Sequence, residues 1–300
     1  MPIPTSLRTT ALLAAVMMAL PALAHAAPVQ TAAGPVEIAS AKQVVALDVP
    51  AIDSLSALGV SLAGAPERLY VDYLADTAAN TPDMGTLFEP DLEALAVAAP
   101  DLIIVGGRSV AHKDALAQIA PVIDMSIGAD VLGDARARMT AYGALFQREE
   151  RAAELNADLD ARLARLAEAG KGKGRGLVVL TNGPKMSAYG KGSRFGWIFD
   201  AAGLAEAAPG LKVDRHGASI THEFIAQTDP DWLFVIDRGV AVGEAGDSAA
   251  KTLDTPLVRG TTAWKKDQVV YLDPTPLYIA GGGYTALTRT IDQLVGALSR

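Results

Sequence analysis

The sequence contains no cysteine. That excludes a disulfide framework, a thiolate zinc site, an iron–sulfur cluster and a cysteine nucleophile. It also lacks a basic block. Lys and Arg number 26 against 34 Asp and Glu, for a formal net charge of −8, a poor balance for non-specific nucleic-acid binding. No apolar run reaches the ~20 residues needed to cross a bilayer. Neither His-Glu-x-x-His nor Gly-x-Ser-x-Gly occurs, so catalysis has little support. What the chain does have is apolar content. Half of its 300 residues are hydrophobic, too many for a mostly disordered protein. That length allows one large domain or two of ~100–150 residues.

The first segment reads as an address. Arg8 precedes the apolar run 11–20, Pro21 breaks it, and Ala24-His25-Ala26 supplies small residues around a cleavage point. This is the pattern of a secretory signal peptide over Met1–Ala26. Without a cysteine near the cleavage point no lipoprotein anchor is expected. Removal of the segment leaves 25 basic and 34 acidic residues, a charge of −9. The mature product is expected to be soluble and periplasmic.

Beyond the leader, short strands are expected at Val36–Ser40 and Gln43–Val49, with a helix at Pro50–Leu58. Further apolar strand-like runs fall at Asp101–Val105, Gly176–Leu180, Trp232–Ile236 and Gln268–Leu272. Helical patterns separate them, which implies an α/β fold with mostly parallel sheets. Two helices fill the middle, at about 130–146 and 148–168. The second has leucines at 155, 159, 163 and 166 on one stripe. Gly170–Gly176 ends it as a glycine-rich loop rather than a phosphate loop, because no Gly-Lys-Ser/Thr opens a helix there. A last helix is expected over Tyr284–Leu298, packed onto one lobe.

An internal echo organises the chain. Pro100-Asp101, an apolar strand and Arg108 match Pro230-Asp231, an apolar strand and Arg238 at an offset of 130 residues. Helix, Pro-Asp turn and strand are common α/β punctuation, but the matched arginine adds weight. The expected architecture is two similar lobes joined by a long rigid helix: 27–147, a strut at 148–170, and 171–300. Open α/β sheets bind ligands beyond the carboxyl ends of their strands. Arg108 and Arg238 lie at such ends and can face each other across a cleft.

Three blocks carry a resemblance over essentially the whole mature chain. They are Ser187–Asp200, His216–Ile220 leading through Glu223-Phe224 to Arg238, and Tyr271–Pro274 with Tyr278–Gly282. With these the chain resembles class III periplasmic solute-binding proteins, nearest to those for ferric catecholate siderophores. The resemblance implies a shallow cleft with an arginine set of Arg108, Arg194 and Arg238 for an anionic catecholate chelate. It implies that His216 and Tyr278 complete the iron shell of a tetradentate siderophore, with Tyr284 as the alternative tyrosine. By spacing alone, a lone His is more often a cap or a satisfied core residue, and a lone Tyr a packing residue.

The chemistry is coherent with that implication. Two catecholate dianions around one Fe(III) leave one negative charge, and three leave three. Arginine stays charged and can stack on aromatic faces. Fe(III) favours anionic oxygen, and imidazole also suits iron. The implied partners are a ferric catecholate siderophore and an inner-membrane ABC permease with its ATPase. The protein is expected to be a monomer with no intrinsic cofactor and no enzymatic activity, Fe(III) arriving only as the siderophore complex. Glu89 and Glu206 are candidates for permease docking. His112 and His222 are expected as surface residues. The alternatives are haem, cobalamin or another siderophore class, and, more remotely, an exported metal-dependent hydrolase.

Overall fold

Leu102–Val105 and Leu177–Leu180 are apolar at every position. Such runs suit strands covered on both faces, and the computed structural model places them at the centres of two separate sheets. It describes residues 28–212, 214 and 216–300; the leader expected at Met1–Ala26 lies outside them. The strands are β1 Val29–Thr31, β2 Gly34–Val36, β3 Val44–Ala46, β4 Leu102–Val105, β5 Val122–Asp124, β6 Arg175–Asn182, β7 Lys185–Tyr189, β8 Ala205–Glu206, β9 Ala218–Ile220, β10 Trp232–Asp237 and β11 Val269–Tyr271. The N-terminal sheet is β3-β4-β5, all parallel, with a small β1-β2 hairpin beside it. The C-terminal sheet runs β11-β10-β6-β7-β9, with β8 beside the start of β6. Its β11, β10, β6 and β8 pair in parallel, whereas β7 and β9 are antiparallel additions.

Alternate residues of each central strand enter different cores. Leu102 and Ile104 pack on one face of β4, Ile103 and Val105 on the other. In the second lobe, Val178 and Phe234 face one way, Val179 and Val235 the other. Each sheet is therefore a middle layer between helices.

The first strands differ from expectation. The hairpin lies at 29–36 rather than 36–40, and β3 is cut short because Asp48 caps a helix at Val49–Ala57. Its carboxylate accepts the Ala51 N–H at 3.2 Å.

The helices at Val131–Phe146 and Glu149–Gly170 form the connection between lobes. The second has 22 residues, about 33 Å at 1.5 Å per residue. Its Ala152 and Leu155 belong to the N-terminal core, its Leu159 and Leu166 to the C-terminal one. The preceding helix does the same in reverse, with Val131 and Ala135 in the C-terminal core and Met139 and Tyr142 in the N-terminal core. Both helices therefore contribute to both cores, running antiparallel between the lobes.

The last helix, Tyr284–Leu298, does more than pack onto one lobe. Its Leu287, Ile291 and Leu294 fill the C-terminal core. Its N-terminus is capped from the other lobe: Asp53 accepts the N–H groups of Thr285 at 2.8 Å and Ala286 at 2.9 Å, and the Tyr73 hydroxyl at 2.8 Å. Gly283 has no side chain because a Cβ there would collide with the Asp53 carboxylate. Asp53 is fully buried, and burial raises its pKa, with these hydrogen bonds acting in the opposite direction.

Candidate ligand-binding cleft

The carboxyl ends of β4, β6 and β10 open onto a cavity of about 770 Å³ between the lobes. Its walls include Arg108, Arg194, His216, Arg238 and Tyr278. All five candidate residues are thus brought to one place, from five separate segments of chain.

Tyr278 lies at the centre. It belongs to the short helix Pro274–Ile279, whose last carbonyls have no partner within the helix. Arginines from both lobes supply the missing donors. Arg108 donates to the carbonyls of Tyr278 at 3.1 Å and Ile279 at 3.2 Å, and Arg194 donates to that of Tyr278 at 2.8 Å. Arg238 donates through Nε to the Tyr278 hydroxyl at 3.3 Å. The three guanidinium carbons stand 5.8, 4.7 and 6.0 Å from the centre of the Tyr278 ring, for Arg108, Arg194 and Arg238 in turn. Each guanidinium has five donors in a fixed plane, so one arginine can serve several acceptors at once.

Each arginine is positioned by its local backbone. Arg108 follows the Gly106-Gly107 turn, where Ser109 Oγ holds Gly106 and a Cβ on Gly106 would strike the Asp48 carboxyl group. Arg194 rides the loop between β7 and the helix Trp197–Ala202. Ser193 bonds the Gly190 carbonyl at 2.5 Å, and Gly196 packs too tightly against Gly190 for any side chain. Buried Phe195 anchors the loop edge-on to Tyr189 at 4.8 Å, and the Arg194 guanidinium stands 4.6 Å from its ring centre. Arg238 opens the helix that follows β10. It pairs with Glu244 at 2.8 Å and bonds Asn182 Oδ1 at 3.3 Å.

His216 occupies an exposed turn before β9, on the cavity wall. Its backbone N–H donates to Asp214 Oδ1 at 2.8 Å. Tyr284, the alternative tyrosine, does not line the cavity. Its hydroxyl donates to Asp158 Oδ2 at 2.7 Å, and burial with that carboxylate pushes its pKa up to about 12.

Lys185, Asn182 and Asp48 are among the cavity residues that escaped sequence reasoning. Lys185 on β7 adds a cation, Asn182 ends β6, and Asp48 adds a buried carboxylate. Burial raises the Asp48 pKa to about 6, while the Ala51 N–H and the Arg108 charge act to lower it. The Asn182-Gly183 pair was a hairpin signal that would have revealed β7 and the residues it carries. The two other histidines among the described residues are half-exposed but engaged. His112 Nε2 bonds the Phe88 carbonyl at 2.6 Å and His222 Nε2 that of Thr252 at 2.8 Å. Of the two docking candidates, Glu89 is exposed, whereas Glu206 accepts the Lys191 N–H at 2.7 Å and so supports the Arg194 loop.

A family model described as periplasmic binding protein matches residues 44–276. The chain belongs to the periplasmic binding protein family. Members of this family are substrate-binding proteins. Among similar proteins is the petrobactin-binding protein YclQ of Bacillus subtilis, 34% identical over 264 residues, covering 86% of this chain and 83% of YclQ. The YclQ crystal structure superposes with a TM-score of 0.82 at 33% identity, covering 86% and 92% of the two chains. The ferric-anguibactin-binding protein FatB of Vibrio anguillarum is 29% identical over 269 residues, 85% of this chain and 81% of its own. The catecholate-siderophore-binding protein VctP of Vibrio cholerae has a TM-score of 0.83 at 27% identity, covering 89% and 98%. In this periplasmic binding protein, as in the family, the fold is two α/β lobes around a cleft. Among the described residues no helix is long and apolar enough to cross a membrane, and no group of three or more His, Asp or Glu is placed to hold a metal.

Proposed function

We propose that this protein is the exported receptor of an ABC importer for ferric siderophores of the catecholate type. It captures the chelate as a monomer and without turnover, and passes it to an inner-membrane permease and its ATPase. The observation that carries the reading is the convergence of Arg108, Arg194 and Arg238 on Tyr278 inside one interlobe cavity. The names of the relatives YclQ, FatB and VctP support it.

In this reading the guanidiniums hold the coordinated catecholate oxygens through charge-assisted hydrogen bonds. A tetradentate chelate leaves two sites of the iron octahedron open. Tyr278 oxygen and a His216 nitrogen fill them, one from the floor of the cleft and one from its wall. Loss of the Tyr278 proton on ligation leaves an anion beside Arg238, which already bonds that hydroxyl. Iron is cargo here, met by oxygen, nitrogen and the siderophore.

One titration tests the reading. Ferric bis-catecholate should quench the tryptophan fluorescence of the mature protein at sub-micromolar concentration, because Trp197 lines the cavity. The charge-transfer band of the chelate should shift on binding, and the shift should vanish in Tyr278→Phe. Tight binding of haem or cobalamin, with no ferric catecholate bound, would replace this reading. An unchanged band in Tyr278→Phe would remove Tyr278 from the iron shell.

A further inference from the structure

Phe88 is a cavity residue to which the siderophore reading gives no task. Phe88, Leu92, Val97, Val240, Leu257 and Tyr271 are the large apolar side chains exposed among the described residues, and only Phe88 borders the cavity. The residue is 59% exposed. Singly exposed apolar side chains are ordinary on a protein surface; what sets Phe88 apart is its place at the cavity mouth, where contact with a ligand would remove its face from water.

The backbone beneath the ring is firmly held. Thr86 Oγ1 accepts the N–H groups of Phe88 at 3.2 Å and Glu89 at 2.9 Å, and the Thr86 N–H donates to the Glu89 carbonyl at 3.0 Å. Gly85 closes the turn at φ 88°, where a side chain would collide with the Glu89 carbonyl and the Asp91 nitrogen. From outside the turn, His112 Nε2 donates to the Phe88 carbonyl at 2.6 Å. A ring presented on such a support loses little freedom on contact, the condition for a preorganised binding group.

Its surroundings limit what it can meet. The same cavity carries the cations Arg108, Lys185, Arg194 and Arg238. A phenyl ring offers no donor to carboxylate oxygens, but it packs well against another aromatic face, in an offset or edge-on arrangement. A ligand that satisfies both features is anionic at one edge and aromatic on its face. We infer that Phe88 is a specificity residue that packs against an aryl ring of the bound chelate. The site then prefers aryl-bearing ferric chelates to those built only from aliphatic carboxylates or hydroxamates. This inference rests on the siderophore reading and narrows its substrate class.

The experiment compares wild type, Phe88→Ala, Phe88→Leu and Phe88→Tyr, each titrated with a ferric bis-catecholate and with ferric citrate, which has no ring. Thermal melts check that each variant is folded. For the bis-catecholate, Kd should rise about tenfold in Phe88→Ala, the scale of an aromatic pair plus its buried area. It should rise a few-fold in Phe88→Leu, which keeps apolar bulk without the π face, and hold in Phe88→Tyr. Whatever affinity ferric citrate shows should not change across the series. Equal bis-catecholate affinity in all four proteins, or equal losses for both chelates, would overturn the inference while leaving the siderophore reading in place. A wild type that binds no ferric catecholate would overturn both.

Discussion

The two lobes carry the same unit and use it differently. Helices at Leu92–Ala98 and His222–Thr228 are capped at the start by Asp91 and Thr221 and stopped by left-handed residues, Ala99 and Asp229. Each then enters a Pro-Asp turn. Asp101 accepts the Gln43 N–H at 3.0 Å, and Asp231 accepts the Arg175 N–H at 2.8 Å, so each aspartate fastens the start of the neighbouring strand. The arginines that follow are also equivalent in sequence, but their neighbours are not. Beside Arg108, the adjacent strand leads into buried Asp48. Beside Arg238, the adjacent strand ends in neutral Asn182, and an exposed carboxylate, Glu244, pairs with the guanidinium instead. Among the described residues the N-terminal lobe has no counterpart of β7 and β9, the antiparallel additions that flank the Arg194 loop and the His216 turn. The repeated unit supplies one cation from each side. The added strands supply what distinguishes one side from the other.

The lobes are also joined unequally, and breaking that join is expected to have the largest effect. Asp53 belongs to the N-terminal lobe but caps the helix that completes the C-terminal core. Asp53→Ala would leave two backbone N–H groups without a partner, one of them on buried Ala286. At ~1–3 kcal/mol for each unsatisfied buried group, the expected loss is about 4 kcal/mol. Urea unfolding, followed by circular dichroism, measures it. A loss near zero would mean that the last helix holds its place through the C-terminal core alone.

The second effect separates the two arginine neighbourhoods by pH. With a folded pKa of about 6 against an ordinary 3.8, Asp48 binds its proton more tightly in the native state than in the unfolded chain. Its contribution to stability is therefore greatest below pH 3.8 and falls as pH rises towards 6, then stays level. The span from 3.8 to about 6 is worth about 3 kcal/mol at most. Asparagine also serves as a helix N-cap, so Asp48→Asn should keep the cap and lose the titration. Between pH 4 and pH 7 the variant should gain on wild type by up to that amount in urea midpoints. The charges of Arg108, which favours the carboxylate, and of Asp124, which opposes it, act on the same group. A constant difference between the two proteins across that range would show that Asp48 is ionised throughout.

Much of this was legible in the sequence because it is local or repeated. The apolar strands, the long leucine stripe and the 130-residue echo all follow from periodicity. Arg108 and Arg238 could be placed at strand ends by that logic, whereas Arg194, His216 and Tyr278 needed the resemblance. The remainder depends on contacts distant in sequence. Asp53 meets Thr285 and Ala286 from 232 and 233 residues away, and no local pattern marks such a pair. Phe88 stands in a turn, outside any period. The helix carrying Tyr278 has six residues, too few to show an amphipathic repeat. Asn182-Gly183 was readable as a hairpin turn, but the run from Gly176 to Leu180 read as one more parallel strand and hid it.

The smallest expected effect bears most directly on how the two arginines differ. Arg238 is paired to Glu244, with side chains 30% and 55% exposed, whereas Arg108 donates only to backbone carbonyls among the described partners. An anionic chelate must therefore compete with a carboxylate bonded to one guanidinium, Glu244, whereas the other has no carboxylate hydrogen-bonded to it among the described residues, only the nearby charge of buried Asp48. Glu244→Gln removes the competitor and leaves the length of the side chain unchanged. Half-exposed ion pairs are worth ~0–1 kcal/mol, so affinity for ferric bis-catecholate should improve by a factor of about two to five at low salt. The gain should shrink as added salt screens the charges. The improvement should disappear in Arg238→Ala, where there is no guanidinium to release. If Glu244→Gln weakens binding instead, the carboxylate is serving to orient Arg238 towards the ligand, and the C-terminal arginine is held by design where the N-terminal one is held by carbonyls.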